Sequence, residues 1–240
     1  MLYWVYNVTR KRGVHMEPLD LRFLEETFPF WKGLTLREQQ KLLSQTRCYV
    51  YPKGSRIHSG LEGCTGVLAV KRGQLRAYLM SDEGKEITLY RLLDGDVCFL
   101  SASCILKNIS FDIYVDTEEE TELYLIQASA YDALGKSNLA VQTFLQETIS
   151  ARFSDVMWVV EQIVFMKFDR RLAIFLLEQA ALEGNDAVTL THEQIAHHMG
   201  SAREVVSRML KYFQNEGLVE VSRKGIRLLD RKALNALARE

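Results

Sequence analysis

No apolar run in this sequence approaches the roughly 18 residues a membrane-spanning helix needs, so no membrane span is expected. Residues 1–15 (MLYWVYNVTRKRGVH) lack the ordered basic, apolar and small-residue regions of a secretory signal. They read as a poorly ordered extension, and Met16 offers an alternative start. There are only four cysteines, Cys48, Cys64, Cys98 and Cys104, with no Cys-x-x-Cys and no zinc spacing. That points to free thiols in a reducing cytoplasm rather than a disulfide framework. No Gly-x-x-x-x-Gly-Lys phosphate cradle, no Ser–His–Asp ordering and no paired metal ligands occur, which argues against an enzyme. Long repeats and low-complexity segments are absent too. What is present is 240 residues, 48% of them hydrophobic, with a net charge of −1. That length fits one or two domains, and that composition builds real cores.

The segment Thr191–Asn215 carries the strongest local signal. Thr191 with Gln194 and Ser201 with Glu204 both have capping-box form, and Gly200 lies between them as a helix stop. Two helices joined by a tight turn are predicted, with Gly217 closing the second. At about 100° per residue, Val205, Val206, Met209, Leu210, Tyr212 and Phe213 fall on one side of that second helix. Arg203, Glu204, Ser207, Arg208 and Lys211 fall on the other, an arc suited to base edges and phosphates. A charged face is also what any solvated helix shows, and Glu204 also fits as a mere cap partner. The sequel tips the balance. Leu218–Ser222 and Ile226–Leu229 alternate like two strands around a basic tip, Arg223-Lys224-Gly225. From Gly200 to Lys232 eight Lys/Arg face four Asp/Glu, a local excess of four, and local charge is what a polyanion feels.

These residues resemble the DNA-binding domain of the Crp/Fnr superfamily of bacterial transcription regulators. Arg203-Glu204 and Arg208 occupy the places of that family's base-reading residues. Glu204, Ser207 and Arg208 match the Fnr-type E-x-x-S-R pattern. The resemblance implies a half-site with a TGA core, bases read by Arg203, Glu204 and Arg208, and phosphates held by Thr191, Ser207, Lys211, Arg223 and Lys224.

Upstream, helices are predicted at Leu19–Phe28 and Thr35–Gln45. Short runs rich in β-branched and aromatic residues follow: Cys48–Tyr51, Gly66–Val70, Gln74–Met80, Lys85–Leu92, Phe111–Val115 and Leu123–Ile126. Turn signals separate them, which spells an antiparallel barrel or sandwich. The acidic stretch Asp116–Glu122 reads as a solvated hairpin tip. Asp82–Glu86 and Gly95-Asp96 resemble turns of the same superfamily's cyclic-nucleotide-binding β-roll. The nucleotide-binding pattern itself is missing: Val97–Cys104 replaces the ribose-binding Gly-Glu, and Ile109–Asp112 has no phosphate-binding arginine. This argues against cyclic AMP. The pocket so placed would offer Cys98, Ser101, Ser103 and Cys104, with Val156, Met157 and Trp158 from the next helix. The Cys-x-x-Ser part of a haem-regulator pattern recurs at Cys98–Ser101, but Leu100 stands where the histidine would be. Haem ligation, a Cys98/Cys104 thiol switch and small core residues all remain open, and no cofactor is assigned.

From Ser137 to Met166 there is neither Pro nor Gly, and Ile149, Phe153, Val156, Val160 and Ile163 recur at three-four spacing. This predicts a dimer seam. The expected fold is α+β: an N-terminal extension (1–16), a β-roll sensor (17–135), a dimerisation helix (136–168) and a winged helix-turn-helix domain (169–240). The expected partners are double-stranded DNA, a second copy, RNA polymerase and an unidentified small effector. The competing reading is a protein-interaction module that uses the same fold without DNA.

Overall fold

A computed structural model describes residues 15–60, 64–102, 105 and 111–239. Contacts divide the chain into two units, Met1–Leu79 with Leu89–Asp155, and Met80–Thr88 with Val156–Glu240.

The first unit opens on a short edge strand, β1 (His15–Glu17), and helix α1 (Leu21–Thr27). Asp20 caps α1, and α2 (Leu36–Ser44) starts on the Thr35/Glu38 capping box anticipated from sequence. The strands are β2 (Thr46–Tyr51), β3 (Arg56–Ser59), β4 (Val67–Arg72), β5 (Leu75–Met80), β6 (Glu86–Leu92), β7 (Val97–Cys98), β8 (Tyr114–Thr117) and β9 (Thr121–Ile126). They form two antiparallel sheets, ordered β1-β2-β9-β4-β7 and β3-β8-β5-β6. Period-two alternation is blurred because β2, β4, β5 and β9 are buried along most of their length. A core of Leu24, Phe28, Phe30, Trp31, Tyr124 and Tyr131 joins the helices to the larger sheet.

One expectation is corrected by the strand order. Asp116–Glu122 is not a free hairpin tip, because β8 and β9 belong to different sheets and the stretch crosses between them. Two of its carboxylates are engaged by cations: Arg91 Nε donates to Glu118 at 2.7 Å and Lys71 Nζ to Glu122 at 3.0 Å. Strand β3 and helix α3 (Ala128–Gly135) carry too short a pattern to be predicted.

Helix α4 (Leu139–Phe165) runs 27 residues without interruption, as the absence of Pro and Gly allows. Lys167 takes the N-cap position of α5 (Phe168–Leu182), without a side-chain capping bond. Short strand β10 (Ala187–Val188), α6 (His192–Met199), α7 (Arg203–Asn215), β11 (Val219–Ser222), β12 (Gly225–Leu228) and α8 (Arg231–Arg239) complete the second unit. The three strands pair in the order β10-β12-β11. Leu172, Leu176, Ile195, Val206, Leu210, Phe213, Ile226 and Leu234 form its core.

Candidate nucleic-acid interface

Helix α6 begins on a reciprocal cap. Thr191 Oγ accepts from Gln194 N at 3.2 Å, and Gln194 Oε1 accepts from Thr191 N at 2.8 Å. It ends at Gly200, whose φ of 64° is left-handed. Ser201 N donates back to Ala196 O at 3.0 Å, closing the last turn. Arg171 Nη2 donates to Met199 O at 2.7 Å, placing a cation at the carbonyl end of the helix, where the macrodipole favours one.

Because Ser201 closes α6, the cap of α7 moves on to Ala202, which makes no side-chain hydrogen bond. The expected Ser201/Glu204 box is therefore not formed. The consequence favours the interface: Glu204 is not held back as a cap partner. Arg203, Glu204, Arg208 and Lys211 are exposed along one arc of α7. Val206, Leu210 and Phe213 are fully buried on the opposite side. Tyr212, expected on the apolar face, is 51% exposed at its margin.

Ser207 is the half-buried member of the arc. Its Oγ lies 2.8 Å from His192 Nδ1, which joins the first turn of α6 to the middle of the polar face of α7. Burial, and then the Arg203 charge, hold the His192 imidazole below its usual range. No spacing pattern in the sequence singles out His192. The pairing requires the two helices to cross at Gly200, and no local signal reports that.

The wing has the expected strands and tip. Ser222 Oγ accepts from Lys224 N at 3.1 Å and donates to Gly225 O at 3.2 Å, leaving the Arg223 and Lys224 side chains exposed. Behind the tip, β12 pairs with β10 as well as β11.

The sensor residues fare differently. Cys98 is a buried free thiol, 3.8 Å from Tyr90 Oη. Burial, with Cys98 adding to it, pushes the Tyr90 phenol up. Ser101 is fully buried, its Oγ donating to Gly66 O at 2.7 Å. Ser103 and Cys104 lie outside the described residues. Cys64 is disulfide-bonded, whereas Cys48 and Cys98 are free. The expectation of four free thiols is thereby overturned at Cys64. Sequence spacing does not show that Thr65 and Gly66 both donate to Ser101 O, at 2.9 and 3.3 Å, bringing two distant segments side by side. On α4, Val156 is half-buried, while Met157 and Trp158 are 46% and 40% exposed. The residue missed on this helix is Arg152. It donates to Asp96 at 2.8 Å and Asp155 at 3.0 Å, and its guanidinium lies 5.0 Å from the Tyr90 ring centroid. An arginine thus reaches the Gly95-Asp96 turn from the helix, not from the segment where one was sought.

Residues 170–237 match the family model of the Crp-like helix-turn-helix domain. Among solved structures, a Crp/Fnr-family protein from Eubacterium rectale is 47% identical, with a TM-score of 0.87, covering 90% of this chain and all of that one. The Haemophilus influenzae cAMP-activated global transcriptional regulator CRP is 27% identical over 75% of this chain and 84% of its own length. Electron transport regulator A of Shewanella oneidensis is 25% identical over 78% of this chain and 76% of its own. Among the described residues, no helix is long and apolar enough to cross a membrane.

Proposed function

Since the chain belongs to the Crp/Fnr family of transcription regulators, we propose that it acts as a homodimer on a palindromic DNA site with TGA-containing halves. A signal received by the first unit controls its output. The observation that carries the DNA reading is the polar arc of α7, freed from capping duty and backed by a fully buried face. Arg203 and Arg208 fork onto guanine edges, and Glu204 accepts from a cytosine amino group. Thr191, Ser207, Lys211, Arg223 and Lys224 hold the backbone, fixing register without reading sequence. Two such helices, related by a two-fold axis, enter successive major grooves. Pairing through α4 supplies that axis. A small effector biases the pair between two arrangements, and a coupling of about 1–3 kcal/mol is enough to change occupancy. RNA polymerase is the partner that such a bound dimer presents itself to.

Base and backbone contacts separate by mutation. Arg208→Ala should cost about 1–3 kcal/mol on a palindromic duplex and relax discrimination at one base pair of each half-site. Lys224→Ala should weaken all duplexes alike and lower the slope of affinity against salt. Fluorescence anisotropy on matched and single-base-changed duplexes, at several salt concentrations, reads both. Loss of affinity by both variants with no difference in discrimination would contradict the assignment of Arg208.

A further inference from the structure

We infer that His192 is a proton-linked DNA contact: its imidazole takes up a proton from solvent as a backbone phosphate docks on the face it shares with Arg203 and Ser207. The inference rests on the DNA-binding reading above and specifies how one of its contacts is charged.

The geometry is that of a two-position switch. His192 sits at the first position of α6, half-buried, with Nδ1 2.8 Å from Ser207 Oγ. In the neutral imidazole with a bare Nδ1, the Ser207 hydroxyl donates to the ring. Protonation makes Nδ1 the donor. The Ser207 hydrogen is then released to a phosphate oxygen, while the ring contributes a positive charge to the same anion. One proton enters from water and forms an N–H bond at Nδ1; no other covalent bond changes. A phosphate gains two interactions from a single protonation.

In the free protein the groups acting on the ring oppose that protonation. Burial disfavours the cation, and Arg203, facing it from α7, repels it. The other charges on the two helices are Glu193 on α6 and Glu204, Arg208 and Lys211 on α7. A docked phosphate reverses the balance, because an opposite charge within a few ångströms favours the charged form. Without DNA the imidazole is thus held toward its neutral form, and a docked phosphate shifts it toward the protonated one. Binding then strengthens as pH falls, by at most about tenfold per pH unit for each proton taken up.

The test uses the full-length protein and a labelled palindromic duplex of about 30 base pairs with TGA half-sites, with anisotropy measured at constant ionic strength from about pH 5.5 to 8. Wild type is expected to lose affinity by about threefold or more per pH unit. H192Q, neutral throughout, should bind at the weak limit with no slope. H192R, charged throughout, should bind at the tight limit with no slope. A titration of 13C-labelled histidine by NMR gives a second readout on the unmutated chain. One imidazole, the one missing from H192Q, should shift its midpoint upward when duplex is added. If H192Q keeps the wild-type slope, or that imidazole does not move, the proton is taken up elsewhere and the inference falls. If no form binds duplex at any pH in low salt, the DNA reading itself falls and takes this inference with it.

Discussion

At the scale of the residue, the interface depends on positions where backbone leaves no alternative. Gly225 has a φ of 129°, and a Cβ there would lie 2.3 Å from the carbonyl oxygen of Val188. Both the conformation and the space reject a side chain. Gly225→Ala should lower stability by roughly 1–3 kcal/mol from the backbone strain alone, with more from the displaced β10. Gly184 is the natural control: its φ is 67° but nothing lies within 4 Å of a built Cβ, so Gly184→Ala should cost only about 1–2 kcal/mol. Thermal melts of the two variants compare them, and equal losses would mean that the Val188 contact yields. Much at this scale was legible. Gly200 as a stop, Thr191 as a cap and the basic wing tip all rest on neighbours within a few residues. The reason for Gly225 was not legible, because its obstacle comes from a strand 37 positions earlier, as the pairing of Val188 with Ile226 shows. The Ser201/Glu204 box was misread for a related cause: the motif satisfies the local rule, but Ser201's N–H is already committed to the preceding helix.

At the scale of the element, α4 shows how a correct periodicity can hide two faces. Ile149 packs against the core of the first unit, and Val156 is half-buried. Phe153, Met157, Val160 and Val164 are 65%, 46%, 41% and 61% exposed and follow one another at four, three and four residues. That is the spacing of a coiled-coil seam. The stripe expected from sequence, Ile149, Phe153, Val156, Val160 and Ile163, mixes residues from both sides. A helix with one apolar stripe packed on its own domain and a second left exposed gives a nearly continuous signal, and nothing local sorts one stripe from the other. The two faces predict opposite outcomes. Val160→Glu should convert a dimer to a monomer at micromolar concentration by burying an unpaired charge in the seam. Ile149→Ala should leave the dimer intact and lower the stability of the first unit, by about 1–3 kcal/mol because the side chain is only partly buried. Sedimentation equilibrium and thermal melts on the same two variants measure the pair of effects. A dimeric Val160→Glu would place the seam elsewhere.

At the scale of the whole molecule, charge and symmetry decide what a near-neutral chain can do with DNA. The net charge is −1, so attraction to a polyanion cannot come from the molecule's overall field. It has to come from clusters within a Debye length, roughly 8 Å, of the phosphates, the role proposed above for the α7 arc and the wing tip. One copy of that surface reads only a few base pairs, too few to single out a site among the many competing sequences of a genome. In the proposed dimer, two copies related by a two-fold axis would read a palindrome, with the axis setting the distance between half-sites at about one helical turn, 34–36 Å. Affinity should therefore depend on the phase of the half-sites as well as their sequence. Inserting about five base pairs between the halves of a tight site rotates one of them by half a turn, and should reduce binding to the level of a single half-site. Inserting about ten restores the phase but stretches the distance, and should recover binding only as far as the dimer can extend. Anisotropy titrations on the three duplexes distinguish this from independent binding. Equal affinity for all three would mean that the two reading heads are not held by a common axis, and that the exposed stripe of α4 serves some contact other than a second copy of this chain.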